Sequence, residues 1–125
     1  MTIIYKEKLT VLTATMLLMF VLATVACAAS QTVDIDSRYA KHSGAISSLN
    51  GAKCNGYNYQ SSEDRLFMVL EYSDGGGWAN EAVTAMQKGG YGSLSSSRSG
   101  NLLWRVTLNP DEFAHCKGYA TVENR

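Results

Sequence analysis

His42 and His115 are the chain's only imidazoles, and each can serve as a general acid or base because imidazole titrates near neutral pH. The alternative is a plain surface or loop histidine. A metal centre needs several convergent ligands at suitable spacing, and no such pattern of His, Cys, Asp or Glu occurs, so neither metal nor cofactor is expected. Arg105 lies within an alternating apolar segment, where a guanidinium is either solvated and salt-bridged or a clamp for phosphate. Gly75-Gly76-Gly77 follows an apolar run, but no G-x-x-x-x-G-K-[ST] accompanies it and the next lysine is Lys88, which excludes a phosphate loop. An esterase oxyanion loop is excluded too, because there is no G-x-S-x-G elbow and the chain is too short for that fold. The glycines read as a hinge or a helix stop.

The elements that would position these residues follow from periodicity and end signals. Leu102, Trp104, Val106 and Leu108 alternate with Leu103, Arg105 and Thr107, which predicts a strand with one core face and one face displaying Arg105. Asn109-Pro110-Asp111-Glu112 predicts one helical turn or a tight bend, and Tyr119 to Val122 a last short strand. Ser61 or Ser62 as cap, Glu63 and Asp64 in a first turn, the run Leu66 to Leu70 and the glycine stop predict the main helix. Trp78 to Lys88 has helical spacing, with Trp78, Ala82, Ala85 and Met86 on one side. Asp36 is placed to cap a short helix carrying Tyr39, Ser43, Ile46 and Leu49.

Residues 1–28 read as an export signal: Lys6 and Lys8 precede an uncharged run, Leu9 to Ala29, in which Ala26-Cys27-Ala28 fits a cleavage site, with a retained anchor or a lipoprotein acylated at Cys27 as the alternatives. A lead-in segment follows at 29–50 and one domain at 51–125. Cleavage removes Lys6, Lys8 and Glu7 from eleven residues of each sign, leaving nine Lys and Arg against ten Asp and Glu. So balanced a chain lacks the basic stripe of strong nucleic-acid binders. Cleavage also removes Cys27, and the remaining pair, Cys54 and Cys116, predicts one disulfide in an exported chain. Such a bridge would close a loop of about sixty residues, worth about 4 kcal/mol. The protein is expected to be secreted, free of the membrane after cleavage, and monomeric.

Two stretches, CNGYNYQSSEDR (54–65) and WRVTLNPDEFAHCKGYATV (104–122), resemble the small secreted fungal guanyl-preferring ribonucleases. The resemblance implies an α+β fold with one main helix packed on a small antiparallel sheet, microbial ribonuclease-like, with one disulfide. It also implies strands between the helix and the arginine strand, which leaves residues 79–86 open to a strand reading beside the helical one. The family's catalytic arginine carries over to Arg105, its glutamate base to Glu81, and its acid histidine to the position of Val122. Valine carries no proton, so the set implied here is vestigial.

A scaffold without its acid resembles the non-catalytic ribonuclease-like effectors of powdery mildew fungi. That likeness implies an inert module binding a host protein or RNA, outside or inside a host cell, with Tyr57 and Tyr59 stacking on bases and Arg105 holding a phosphate. The tyrosines' plainer use is to cover the end of the helix and sheet. Two alternatives stand beside this reading. One is a divergent active ribonuclease with Glu81 or Glu71 as base, Arg105 as clamp and His42 or His115 as acid. The other is an unrelated secreted inhibitor or binding module, marked by a different topology and by cysteines too far apart to bridge.

Overall fold

The computed structural model describes residues 30–125. The export signal at 1–28, with Cys27, lies outside the described residues. Nine strands fill the rest: β1 (Ser30–Ser37), β2 (Lys41–His42), β3 (Ile46–Ser48), β4 (Ala52–Asn58), β5 (Leu66–Ser73), β6 (Ala79–Met86), β7 (Gly90–Ser96), β8 (Leu102–Pro110) and β9 (Cys116–Asn124). They form two antiparallel sheets. The first has the order β1-β9-β4-β7; the second runs β2-β8-β5-β6, with β3 pairing the other half of β8. The 29–50 lead-in thus supplies an edge to each sheet.

The α+β expectation is overturned. Among the described residues the one helical piece is a 3-10 turn at Asp111–Phe113, where the N-P-D-E signal predicted a turn or bend. The segment read as the main helix is β5, with Leu66, Met68 and Leu70 buried and Phe67, Val69 and Glu71 half-buried on the other side. Its capping residues serve the loop before the strand instead. Ser62 Oγ donates to the Lys117 carbonyl and accepts from the Lys117 amide, and Glu63 accepts from the His115 amide. Capping chemistry is local, and a loop docked on a strand end uses it as well as a helix does.

Residues 78–88 are likewise not helical. Residues 79–86, open to either reading, form β6, whose register against β5 (Leu66 opposite Met86, Met68 opposite Thr84) imposes a two-residue period on the side chains. Gly75 and Gly77, at φ of 111° and 132°, make the turn between these two strands. The helix expected after Asp36 is absent too, since Asp36 lies within β1.

The ribonuclease resemblance falls with the helix. The stretch 104–122 is β8, the 3-10 turn and β9, and those two strands belong to different sheets. Arg105 therefore projects from the outside of the second sheet, while Val122 is fully buried opposite Cys54 in the first. A core valine is not the remnant of a solvent-facing acid.

The disulfide is overturned as well: Cys54 and Cys116 are free and buried. Cys54 sits opposite Val122, six residues along β9 from Cys116, and at ~3.3 Å per residue that is about 20 Å. A bridge needs Cα atoms within about 7 Å. Burial pushes the Cys54 thiol up to about 12 and raises Cys116, whose Sγ lies 3.4 Å from the Asp64 carbonyl oxygen. The protein is accordingly expected to resist thiol reagents when native, to take up two alkyl groups on these cysteines when unfolded, and to melt at the same temperature with or without reductant. A native intact mass short by two hydrogens would contradict this.

The two sheets contribute unequally to the core. The second brings Trp104, Leu66, Met68, Leu70, Met86, Val106 and Leu108; the first answers with Val33, Ile35, Cys116 and Val122 on β1 and β9, and with the smaller Ala52, Cys54, Gly56, Gly92, Gly118 and Ala120. A Cβ added at Gly56 would lie 2.8 Å from Met68 Sδ, and one at Gly92 2.8 Å from Met86 Cγ. At these glycines large side chains of the second sheet seat against bare backbone of the first, which lets the two sheets approach closely there.

Candidate functional site

Glycine facing inward fixes what faces outward, because successive side chains on a strand point to opposite sides. The dipeptide Gly-Tyr occurs three times, at 56–57, 90–91 and 118–119, on the adjacent strands β4, β7 and β9. Each places its tyrosine on the outer face of the first sheet; Gly56 and Gly118 are buried on the inner side, and Gly90 is half-buried against the Gln87 turn. Tyr57 stands opposite both Tyr91 and Tyr119, and Tyr59 follows just past the end of β4. The ring centroid of Tyr57 lies 4.4 Å from Tyr91, 5.4 Å from Tyr59 and 6.3 Å from Tyr119. Tyr91 is 78% exposed and Tyr59 40%. Among the described residues no hydrogen bond involves any of the four phenol hydroxyls.

A polar row runs beside the aromatic one. Asn55 is opposite Ser93 and Thr121, and Thr121 is opposite Thr32, so the order across the sheet is Ser93, Asn55, Thr121, Thr32. Ser93 Oγ donates to Asn55 Oδ1 at 3.0 Å, leaving both amide hydrogens of Asn55 free of that bond, and the Thr32 and Thr121 hydroxyls share a bond of 2.8 Å. Ionic groups at the margins are largely paired. Lys53 meets Glu123 at 3.7 Å, and Asp36 lies 4.0 Å from Lys117 and 2.5 Å from His115 Nε2. The hydrogen bond from His115 holds the Asp36 carboxyl below the usual carboxylate range.

The other residues singled out in the sequence lie elsewhere. Arg105, on the outside of the second sheet, donates through Nε to Glu71 Oε1 at 3.2 Å, and its guanidinium carbon sits 4.3 Å from the centre of the Trp78 ring. Thr107 also hydrogen-bonds Glu71, and His42 stands opposite Thr107, so Glu71, Arg105 and His42 share that face. The Arg105 guanidinium is held by Glu71 and Trp78, on the opposite side of the molecule from Tyr57 and Tyr59, and one ligand footprint does not span both. His115 is with Asp36 at the first sheet.

Glu81 accepts two bonds from Arg98, at 2.9 and 3.0 Å, and one from Ser96 Oγ at 2.5 Å. Those bonds, Arg98 first, hold its carboxyl below the usual range. Arg98 in turn lies 4.3 Å over the Tyr72 ring. Glu81 therefore ties β6 of the second sheet to the end of β7 in the first, a structural clasp. Among the described residues no group of three or more His, Cys, Asp or Glu is placed to hold a metal.

Tyr91 and Tyr119 were not anticipated from the sequence. The threefold recurrence of Gly-Tyr was the available signal: a glycine beside an aromatic, repeated in strand-forming contexts, marks a tight inner and an aromatic outer face.

The class defined by the fold is a two-sheet antiparallel β-sandwich carrying an aromatic outer face. No family model and no curated protein matches the sequence. Among solved structures it is similar to the PBSX exported protein XepA, at 12% identity over 74% of this chain with a TM-score of 0.52; this chain spans 34% of that protein. Looser likenesses are to the Yersinia pseudotuberculosis-derived mitogen YPM, at 13% identity over 78% of this chain and 85% of that one with a TM-score of 0.47, and to PirA, at 15% identity over 76% and 83% with a TM-score of 0.46. Identities this low speak to fold alone, and a sandwich fold does not specify an activity.

Proposed function

We propose that this chain is an exported binding module that seats its ligand on the tyrosine face of the first sheet. The observation that carries the reading is the cluster of Tyr57, Tyr59, Tyr91 and Tyr119, with Tyr91 and Tyr59 exposed and Tyr57 and Tyr119 half-buried between them, on the face of a sheet whose inner side is tightly packed. Tyrosine gives large, stiff, amphipathic contact area at little conformational cost, and it is enriched wherever proteins bind. Export is supported by Lys6 and Lys8 ahead of the uncharged run that ends in small residues. A phosphate-rich partner such as RNA is poorly served, because the lysines bordering the array, Lys53 and Lys117, are engaged by carboxylates.

The test compares the protein with Tyr91→Ala and Val83→Ala on a panel of soluble polysaccharides, poly(U) and immobilised extracellular proteins. Val83 is the control, being 60% exposed on the outside of the second sheet. Whatever holds the unmodified protein is expected to hold Tyr91→Ala about tenfold more weakly and Val83→Ala equally well. Loss with Val83→Ala and retention with Tyr91→Ala would overturn the proposal.

A further inference from the structure

The chemistry of the tyrosine face narrows the ligand class. Its residues form two parallel rows across the strands: Tyr91, Tyr57 and Tyr119 in one, Ser93, Asn55, Thr121 and Thr32 in the other. The rows are two residues apart along each strand, about 7 Å, and three neighbouring strands give the aromatic row a length of about 10 Å between its end Cα atoms. Aromatic faces carry negative quadrupole charge and attract the polarised C–H bonds that a pyranose ring presents on its flat side. Hydroxyl and amide groups alongside suit the ring's hydroxyls, each of which donates and accepts.

Charge separates a neutral sugar from anionic occupants. The aromatic row ends at Asp34, opposite Tyr119, so an anionic ligand would meet a carboxylate there.

We infer that the face binds a neutral oligosaccharide chain laid across β7, β4 and β9, with sugar rings on Tyr91, Tyr57 and Tyr119 and their hydroxyls on the row of Ser93, Asn55 and Thr121. This rests on the tyrosine face being the binding surface.

The experiment is native electrophoresis of the exported protein in gels cast with neutral polysaccharides (galactan, galactomannan, mixed-linkage glucan, xylan), with anionic polygalacturonate, or with poly(U). At least one neutral polysaccharide is expected to retard the protein, with about tenfold weaker retardation for Tyr91→Ala. Asn55→Ala, which leaves the ring cluster intact, is expected to weaken it severalfold. Absence of retardation in every neutral gel overturns the sugar assignment. So does retardation by poly(U) or polygalacturonate alone, and if Tyr91→Ala relieves that retardation the tyrosine face survives as the binding surface. Retardation by a neutral polysaccharide that is indifferent to both substitutions overturns the tyrosine face itself.

Discussion

Trp104→Ala is expected to remove about 3–5 kcal/mol of stability, the largest effect of any single truncation in the molecule. Trp104 is fully buried and heads the large side chains that the second sheet brings to the core. Its ring packs beside Tyr72, at 5.7 Å between ring centroids, within one continuous buried cluster, so its removal leaves a large cavity. Urea unfolding reads the loss directly, and for a domain of about 100 residues the melting temperature should fall by roughly 15 °C or more. Trp104→Phe sharpens the argument. The indole Nε1 is buried without a hydrogen-bond partner, and an unmade bond of that kind costs about 1–3 kcal/mol. Phenylalanine loses some packing but abolishes that penalty, so it should cost far less than alanine. Equal losses for the two would mean that the indole hydrogen is bonded and the core differs from the one described.

Gly118→Ala is expected to cost about 3 kcal/mol, the upper end of the usual penalty for overpacking. A Cβ there would stand 2.3 Å from the Tyr57 carbonyl oxygen and 3.1 Å from Leu66 Cδ2, caught between the backbone of the neighbouring strand and the facing sheet. Neither can yield without disturbing β4, β9 and the ring contact between Tyr57 and Tyr119. Gly92→Ala meets side-chain atoms alone, Met86 Cγ and Sδ and the Thr84 methyl, of which the flexible methionine can shift, and should be milder. Gly76→Ala, in the turn between β5 and β6, has Asp74 Oδ1 at 3.5 Å as its one close neighbour and should fall within about 0.5 kcal/mol of the parent. The ranking Gly118, Gly92, Gly76, measured by denaturant midpoints, tests the inward placement of the glycines that turns the tyrosines out.

Legibility in the sequence tracked how local each signal was. The alternation from Leu102 to Leu108 gave β8 and the outward placement of Arg105, and Asn109-Pro110 gave the turn after it, because both are encoded within a few residues. β5 was misread since serines and acids before an apolar run look alike whether they cap a helix or dock a loop, and a run of five apolar residues has no period of its own. The cysteines misled because parity says nothing of distance along a strand. That β8 and β9 enter different sheets depends on pairing with β5 and β4, far away in the chain, and no local motif records it. Tyr57 and Tyr59 stand out in the sequence as neighbouring aromatics; that Tyr91 and Tyr119 join them depends on pairing with β7 and β9, for which the repeated Gly-Tyr pair was the only local sign.

The most direct test of the tyrosine face is a titration of isotopically labelled protein with the soluble polysaccharide that retards it, followed through backbone amide resonances. The account predicts that the perturbed amides cluster at residues 55–59, 91–93 and 119–121, on three strands of one sheet, while those of β5, β6 and β8 stay put. Perturbations centred on Phe67, Val83 and Arg105 instead would place the ligand on the opposite face and contradict it.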